Sequence, residues 1–359
     1  MKRIYCISLV IFLIILNTSL SFMKTKVETP SASTEGLKGK ATSSKEIFGF
    51  ATYHYPGDKS SYNSIITNAG MINDIATETY VTNGVGKLAG VAPYIQVSYA
   101  NSKVIKTYAM ITNNFDGKIA KELLESSINR QNLINDSLNK LKENGYEGVN
   151  IDLEGVFYYD REYLNTFIKE IYIALHSKGY TVTLSIPGKT YDNYKDGWSG
   201  AFDYSVLGAN CDKVVIMTYD EHYSGGSPGP IASIGWVNNV VNYAITLIPK
   251  SKLLLGTAAY GYDWSVLGTK ALKIEAAQSL AASLGVSIQW DDKAKSSYYT
   301  YKDLDNISHT VWFEDGRSLS YKLDLVNNKD LLGIAIWRLG TENKDYWTSI
   351  KTKFDIKQK

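Results

Sequence analysis

GVNIDLE, residues 148–154, alternates three apolar with three polar side chains after its opening glycine. In a β-strand, residues two apart share a face and lie about 7 Å apart. Asn150, Asp152 and Glu154 therefore point to one side, and the apolar residues point to the other. A strand within an all-parallel sheet is usually apolar on both faces, and buried polar groups without partners cost free energy. The pattern indicates that a ligand uses the polar face.

Short apolar runs separated by amphipathic stretches predict a parallel barrel. Clear helical periods lie between several of the runs; one helix is predicted over Ile128–Asn144, before Gly145, and another over Asp160–Lys178, before Gly179. Strands alternating with helices over about 310 residues predict an α/β fold, the (β/α)8 TIM barrel. The predicted strands are Ile47–Tyr53, Ile75–Val81, Val104–Ile111, Gly148–Leu153, Thr181–Ile186, Lys213–Thr218, Lys252–Thr257 and Gly333–Trp337.

The connection between the seventh and eighth predicted strands is about 75 residues long, more than one barrel helix needs. It contains an amphipathic segment, Ile274–Leu284, followed by short apolar runs that are typical of strands. We therefore predict a small α+β insertion over about residues 263–317, beside the mouth of the barrel. The helix predicted over Ser318–Asn327 then returns the chain to the barrel.

The N-terminus has the pattern of an exported protein. Lys2 and Arg3 precede the apolar run Ile4–Leu16, and residues 19–21 offer a cleavage site, so residues 1–21 are predicted to be a signal peptide. The apolar run is too short to span a bilayer comfortably, so no stable membrane span is expected after cleavage. We expect a secreted protein, associated with the cell wall or the spore.

Residues 22–45 are rich in Ser, Thr, Lys and Gly and show no apolar period. This composition is typical of a flexible linker. The catalytic barrel is predicted over residues 46–359.

Composition narrows the classes of partner. Without Lys2 and Arg3, the 38 basic residues become 36, which equals the 36 acidic ones, so nucleic acid is not expected as the main partner. Cys6 lies in the signal segment, which leaves Cys211 without a disulfide partner. Only four histidines are present, and His222 is interpreted as a loop hydrogen-bonding group rather than a metal ligand.

The polar face of the fourth predicted strand points to acid–base chemistry. Active sites of these barrels lie at the C-terminal ends of the strands, where Glu154 follows its strand and Asp152 lies one inward step below. A carboxyl group beside another carboxylate in a partly dry site has a raised pKa. It can therefore hold a proton at neutral pH and deliver it to a leaving oxygen. A buried polar ladder that only closes the barrel would not need Glu154 at the catalytic end.

Several motifs resemble glycoside hydrolase family 18, the chitinase-type barrels. EGVNIDLE, residues 147–154, is similar to the family's D-G-x-D-x-D-x-E signature, and MTYD, residues 217–220, is similar to its M-x-Y-D motif. Trp337 matches the tryptophan that ends the eighth strand. Glu147 and Asn150 replace two aspartates of the wider pattern.

A narrower likeness concerns the spore cortex-lytic and germination branch of that family. It is carried by MTYDEH at 217–222, SPGP at 227–230, YGYDW at 260–264 and VWFED at 311–315. Asparagine at position 150 looks usual for this branch, so its presence is not taken as inactivating.

The resemblance implies a retaining mechanism without an enzyme nucleophile, in which the 2-acetamido group of the substrate attacks. Glu154 would be the acid and then the base, Asp152 would orient the acetamide, and Tyr219 would hydrogen-bond its oxygen. No metal and no organic cofactor is implied. The residues predicted to bind the substrate are Asn150, Met217, Asp220, Tyr260 and Trp337.

Two of these residues carry alternatives. Trp337 would be the floor on which a sugar stacks, the alternative being a plain core tryptophan. Asp220 could bind the substrate or only hold the loop of Tyr219.

The predicted function is hydrolysis of β-1,4 bonds in polymers that contain N-acetylglucosamine, with peptidoglycan or spore cortex favoured. Chitin and the N-glycan core stay open as substrates. A non-catalytic sugar-binding protein is the alternative of a different class, although such proteins typically lose the acid at the position of Glu154. A structural coat or wall protein would need no carboxylate ladder. We expect a monomer whose partner is a polysaccharide.

Overall fold

The computed structural model describes residues 44–357. The predicted signal peptide, residues 1–21, and nearly all of the predicted linker, residues 22–45, lie outside the described residues. The strands are β1 (Glu46–Thr52), β2 (Asp74–Thr82), β3 (Leu88–Gly90), β4 (Lys106–Thr112), β5 (Gly148–Asp152), β6 (Thr181–Pro187), β7 (Lys213–Met217), β8 (Leu253–Ala258), β9 (Tyr260–Ser265), β10 (Gly268–Lys273), β11 (Gln289–Asp291), β12 (Ser296–Lys302), β13 (Ser308–Phe313) and β14 (Gly333–Trp337).

Eight of these strands form a closed parallel barrel. Neighbours follow the order β1-β14-β8-β7-β6-β5-β4-β2, and pairing of β1 with β2 closes the ring. The prediction of a (β/α)8 barrel is confirmed. The short strand β3, which the sequence analysis did not predict, pairs antiparallel with β2 at the mouth.

The helices lie between the strands and cover the barrel. Gly145, at φ 70°, ends the helix before β5, as predicted from its position. No helix within residues 44–357 combines the length and the apolar character that crossing a bilayer requires. The helices are α1 (Ser60–Asn68), α2 (Tyr94–Ser102), α3 (Gly117–Glu125), α4 (Ser127–Asn144), α5 (Arg161–His176), α6 (Tyr204–Ala209), α7 (Ile234–Ala244), α8 (Ile274–Ser283), α9 (Gly316–Lys329) and α10 (Lys344–Lys353).

The insertion between β8 and β14 is a five-stranded antiparallel sheet in the order β10-β9-β13-β12-β11, with α8 packed on it. Its first strand begins at Tyr260, two residues after β8 ends, and its last strand ends at Phe313. The α+β insertion is therefore present, and α9 returns the chain to the barrel.

The interior of the barrel changes character from floor to mouth. Apolar side chains such as Phe48, Phe50 and Leu254 fill its middle. At the floor, Lys213 Nζ lies 2.5 Å from a carboxylate oxygen of Asp74 and 2.6 Å from one of Glu46. Buried charges persist when they are paired in this way, so the floor is a closed ionic cluster.

Candidate active site

A cavity of about 480 Å³ opens at the C-terminal ends of the barrel strands. This is the end at which barrels of this class carry their active sites. The cavity brings together most of the predicted site residues, which come from β5, β7 and β14 and the segments after them. Its lining residues are Phe50, Met110, Phe115, Asp152, Glu154, Ser185, Trp198, Met217, Tyr219, Asp220, Tyr223, Ser224, Tyr262 and Trp337.

The backbone of Glu154 is clamped by Asn113, a residue that the sequence analysis missed. The Glu154 N–H donates to Asn113 Oδ1 at 2.8 Å, and Asn113 Nδ2 donates to the Glu154 carbonyl at 2.7 Å. Asn113 is completely buried. Gly155 follows at φ 65°, where an added Cβ would lie 2.8 Å from the Phe115 carbonyl oxygen. The chain therefore turns directly after Glu154, which holds that side chain at the end of β5.

Asp152, the last residue of β5, and Glu154, two residues later, both have raised pKa values. Burial raises the pKa of Glu154 to about 9, helped by the charges of Asp152, Asp220 and Glu78. Burial also raises the pKa of Asp152 to about 7, with the charge of Glu78 as the further cause. Glu154 therefore holds its proton at neutral pH, as a general acid must.

One oxygen of Asp152 has no partner. Asp152 Oδ1 is buried and accepts no hydrogen bond from any group in residues 44–357. A buried acceptor left unsatisfied costs about 1–3 kcal/mol. A ligand N–H placed in the cavity would recover this cost, because Asp152 is part of the cavity wall.

Asn150 lies below the cavity and does not line it. Its Nδ2 donates to Thr183 Oγ1 at 3.0 Å, and its Oδ1 accepts from Ser185 Oγ at 3.0 Å. The side chain is completely buried and both ends of its amide are used. The direct substrate contact predicted for Asn150 is therefore not what this geometry provides. Asn150 instead orients Ser185, which does line the cavity.

Tyr219 and Asp220 follow β7 into the cavity wall. Burial and the nearby carboxylates of Asp152 and Glu154 hold the pKa of Tyr219 well above its usual value, so its hydroxyl stays a neutral donor. Asp220 adopts φ 57°, in the left-handed region that non-glycine residues seldom occupy. Its Oδ1 accepts hydrogen bonds from Tyr260 and, at 3.1 Å, from Tyr262. Burial raises the pKa of Asp220, and these two hydrogen bonds oppose the rise.

Tyr260, which was predicted to bind the substrate, is placed behind Asp220. It lines a neighbouring pocket of about 300 Å³ and does not line the main cavity. Tyr262, two residues further on β9, is the tyrosine of the insertion that reaches the cavity. Residues two apart on a strand share a face, so Tyr260 and Tyr262 lie on one face of β9 at different heights.

Aromatic rings form the base and the rim of the cavity. Trp337 is partly exposed and meets Phe50 edge to face, with ring centroids 5.3 Å apart. Phe115, Trp198 and Tyr223 stand on the rim with 66%, 47% and 56% of their surface exposed. Sequence analysis missed these three because they lie in loops without a period. For Phe115 and Tyr223, an aromatic residue shortly after a predicted barrel strand was the available signal.

The loop after β7 is tied to the insertion sheet. Trp264 Nε1 donates to the Tyr223 carbonyl at 3.3 Å, and Thr269 Oγ1 donates to the Ser224 carbonyl at 2.7 Å. Within the loop, His222 Nδ1 lies 2.9 Å from the Ser227 carbonyl, in agreement with the predicted loop hydrogen bond. Across residues 44–357, His, Cys, Asp and Glu side chains do not assemble into a group of three that could hold a metal ion.

Known proteins resemble this chain over the barrel and the insertion together. The profile of Glycosyl hydrolases family 18 matches residues 47–342. An uncharacterized glycosylase of Bacillus subtilis, YvbX, is 32% identical over 323 residues, which cover 88% of this chain and 93% of the relative. The cortical fragment-lytic enzyme of the same species is 32% identical over 264 residues, which cover 70% of this chain and 61% of that protein.

A solved structure extends the likeness to three dimensions. The crystal structure of the spore cortex-lytic enzyme SleL of Bacillus megaterium superposes with a TM-score of 0.83 at 27% identity. The match covers 89% of this chain and 76% of that one. The chain spans about three fifths of the length of the cortical fragment-lytic enzyme that it matches.

Proposed function

The chain belongs to family 18 of the glycosyl hydrolases and is a glycosidase. From this premise we propose that it cleaves β-1,4 bonds after N-acetylglucosamine in peptidoglycan. The proposed mechanism is retaining and uses the acetamido group of the substrate as nucleophile. Residues 1–45 would carry the signal and the linker that bring the enzyme to the cell wall or the spore.

The unpaired Asp152 Oδ1 beside the protonated Glu154 carries the proposal. An acetamide N–H is a single donor next to the anomeric carbon, and it would satisfy this acceptor. The same contact turns the acetamide oxygen toward the anomeric carbon. A sugar with a free hydroxyl or amine at carbon 2 would lack the attacking carbonyl oxygen, so the arrangement selects for N-acetylated sugars.

The reaction would proceed in two steps. Glu154 gives its proton to the glycosidic oxygen while the acetamide oxygen bonds to the anomeric carbon, and the leaving sugar departs with the proton. Asp152 accepts the acetamide N–H and offsets the positive charge of the resulting oxazolinium ion. The neutral Tyr219 hydroxyl donates to the acetamide oxygen and fixes its angle. Glu154, now ionised, takes a proton from water, whose oxygen bonds to the anomeric carbon on the face that the leaving sugar vacated. The bond between the anomeric carbon and the acetamide oxygen breaks in the same step, which regenerates the acetamide and restores the original configuration.

Peptidoglycan is proposed as the polymer on the strength of the relatives. The similar proteins are, by their names, a cortical fragment-lytic enzyme and a spore cortex-lytic enzyme. The aromatic base and rim of the cavity suit a glycan, because sugar rings stack their apolar faces on aromatic side chains.

The test is a digest of spore-cortex peptidoglycan and of a chitin oligomer by the purified chain, with products identified by mass spectrometry. Muropeptides that end in reducing N-acetylglucosamine, with chitin left intact, are the expected products. Cleavage of chitin alone would overturn the choice of polymer and make the chain a chitinase. Sugar binding without any product would make it a sugar-binding protein. A Glu154→Gln variant is the control, and turnover by it would exclude Glu154 as the acid.

A further inference from the structure

Glu78 is a third carboxylate of the barrel interior that the proposed mechanism does not use. It is the middle residue of β2, in register with Thr52 at the end of β1, and is partly buried. Within residues 44–357 it forms no hydrogen bond and no ion pair with another side chain. Burial raises the pKa of Glu78, and Arg338 is the charge that opposes the rise.

The architecture of the barrel places Glu78 level with Asp152, one inward step below Glu154. In an eight-stranded barrel, alternate strands contribute the side chains of one layer. Going around the ring, β2, β5, β7 and β14 are such alternate strands. One inward step below the mouth, Ala76, Val215 and Ala335 belong to the same buried interior cluster. One step above them lies what we call the mouth layer, whose members are Glu78, Asp152, Met217 and Trp337.

Contacts at other levels support this assignment. Two steps below Glu78 on β2, Asp74 meets Lys213 of β7 at 2.5 Å across the barrel, so inward residues of these alternate strands do share a level. In the mouth layer, Asp152, Met217 and Trp337 all line the cavity.

Arg338 is held at the same end of the barrel. Its Nη1 donates to Thr52 Oγ1 at 2.6 Å, and Thr52 of β1 is the register partner of Glu78. The guanidinium is thereby fixed on the β1 side of Glu78, while the carboxyl groups of β5 face it from within the barrel. Beyond Arg338 lie His54 and Asp58. The other neighbour in register with Glu78, Met110 on β4, is uncharged.

Position 150 explains why a third carboxylate matters. The wider family pattern has an aspartate there, which could share a proton with Asp152, whereas Asn150 has no proton to share and is fully engaged by Thr183 and Ser185. The charge of Glu78 acts on Asp152, Glu154 and Tyr219 and raises the pKa of each. Asp220, the remaining acid at the mouth, acts on Glu154 from the β7 side.

We propose that Glu78 is a positioning residue of this active site, which keeps the proton on the Asp152–Glu154 pair in place of the carboxylate that residue 150 lacks. The inference deepens the proposed function and rests on it for its catalytic consequence. The effect of the Glu78 charge on the Asp152–Glu154 pair does not depend on which polymer is cleaved. When Glu78 is ionised, the Asp152–Glu154 pair resists losing its proton, and Glu154 remains an acid at higher pH.

The test is the pH profile of kcat/KM for Glu78→Gln, which removes the charge and keeps the shape. The alkaline limb is expected to move about one pH unit toward acid, the size expected for two carboxylates on a shared layer at an effective dielectric constant of about 20. At a fixed pH above that limb, kcat/KM of Glu78→Gln should be about tenfold lower than kcat/KM of the unaltered chain. Glu143→Gln, which removes an exposed carboxylate of α4, is the matched control and should leave the profile in place. A profile of Glu78→Gln that superimposes on that of the unaltered chain, or moves toward alkali, overturns the proposal.

A second measurement separates this inference from the proposed function. Infrared titration of the substrate-free protein follows the C=O band of protonated carboxyl groups, and in Glu78→Gln this band should be lost at lower pH than in the unaltered chain. Glu78→Asp, which keeps the charge on a shorter stem, should show a smaller shift in the same direction and serves if Glu78→Gln does not fold. An unchanged band in both variants overturns the inference even if glycan is cleaved. A shifted band in a protein that cleaves no glycan would support the role inferred for Glu78 and would overturn the proposed function alone.

Discussion

Replacing Glu154 by glutamine should abolish turnover and at the same time stabilise the fold progressively as the pH rises above 4.5. The folded protein keeps Glu154 protonated because burial raises its pKa to about 9 from an ordinary value of 4.5. In the unfolded chain the same group ionises near its ordinary value. A group whose pKa is raised on folding contributes stability that is complete below the unfolded value and is lost as the pH rises toward the folded value. Glutamine cannot ionise and escapes this loss.

The size of the effect follows from the two pKa values. Each pH unit between them costs about 1.4 kcal/mol of the free energy of unfolding. At pH 7, which is about 2.5 units above 4.5, the loss is therefore about 3 kcal/mol, and solvent at the cavity mouth reduces it to about 2 kcal/mol. For a domain of this size, about 2 kcal/mol corresponds to a rise in the melting temperature of roughly 4 °C.

The assay is a series of urea and thermal denaturation curves between pH 4 and pH 9 for the unaltered chain, Glu154→Gln and the surface control Glu143→Gln. The first two curves should coincide near pH 4 and separate progressively as the pH rises, with Glu154→Gln the more stable. Glu143→Gln should follow the unaltered chain throughout. A gap that does not depend on pH, or a Glu154→Gln protein that is less stable at pH 8, would show that Glu154 is not held in its protonated form.

Three further changes probe the residues around the acid and the ionic cluster at the floor of the barrel. Tyr219→Phe removes the donor proposed for the acetamide oxygen and should lower kcat about 10²-fold with little change in KM, as measured by steady-state kinetics on the polymer that the chain cleaves. Asn113→Ala frees the backbone of Glu154 and should lower kcat by about 10²-fold, whereas Asn113→Asp, which keeps one of the two hydrogen bonds, should lose less in the same assay. Lys213→Met leaves the floor carboxylates of Asp74 and Glu46 without their shared partner and should cost about 3 kcal/mol in urea denaturation while the pH profile of activity is unchanged.

The barrel and its insertion could be predicted because their signals are periodic. Each barrel strand is a short apolar run bounded by a helix, and the long connection before β14 exceeds what one helix needs. The short strand β3 was missed because three residues, Leu88–Gly90, show no period. The alternation in Gly148–Glu154 was sufficient to place Asp152 and Glu154 on one face, and both line the cavity.

The supporting residues could not be predicted because they depend on contacts between distant segments. Asn113 lies 41 positions from Glu154, and only the closed barrel brings its amide to that backbone. In the sequence, Glu78 is a polar residue within a strand rich in β-branched residues. Its level in the barrel follows from the registers of β2 with β1 and β4. Tyr260 and Tyr262 are equivalent in the sequence pattern, and only the folded structure shows that Tyr262 lines the main cavity whereas Tyr260 lines the neighbouring pocket.

Buried carboxyl groups are paired with cations at the floor of this barrel and are left unpaired at its mouth. At the floor, Glu46 and Asp74 are neutralised by Lys213, and Lys357 adds a second cation to Glu46 at 2.5 Å. At the mouth, Asp152 and Glu154 share the interior with Glu78, and Arg338 is held on the far side of Glu78 by Thr52. Full pairing at the mouth would stabilise the fold but would lower the pKa of the acid and fill the acceptor that the substrate needs. The unpaired carboxyl groups therefore cost stability at the end that carries the proposed proton transfer, and the paired ones stabilise the opposite end.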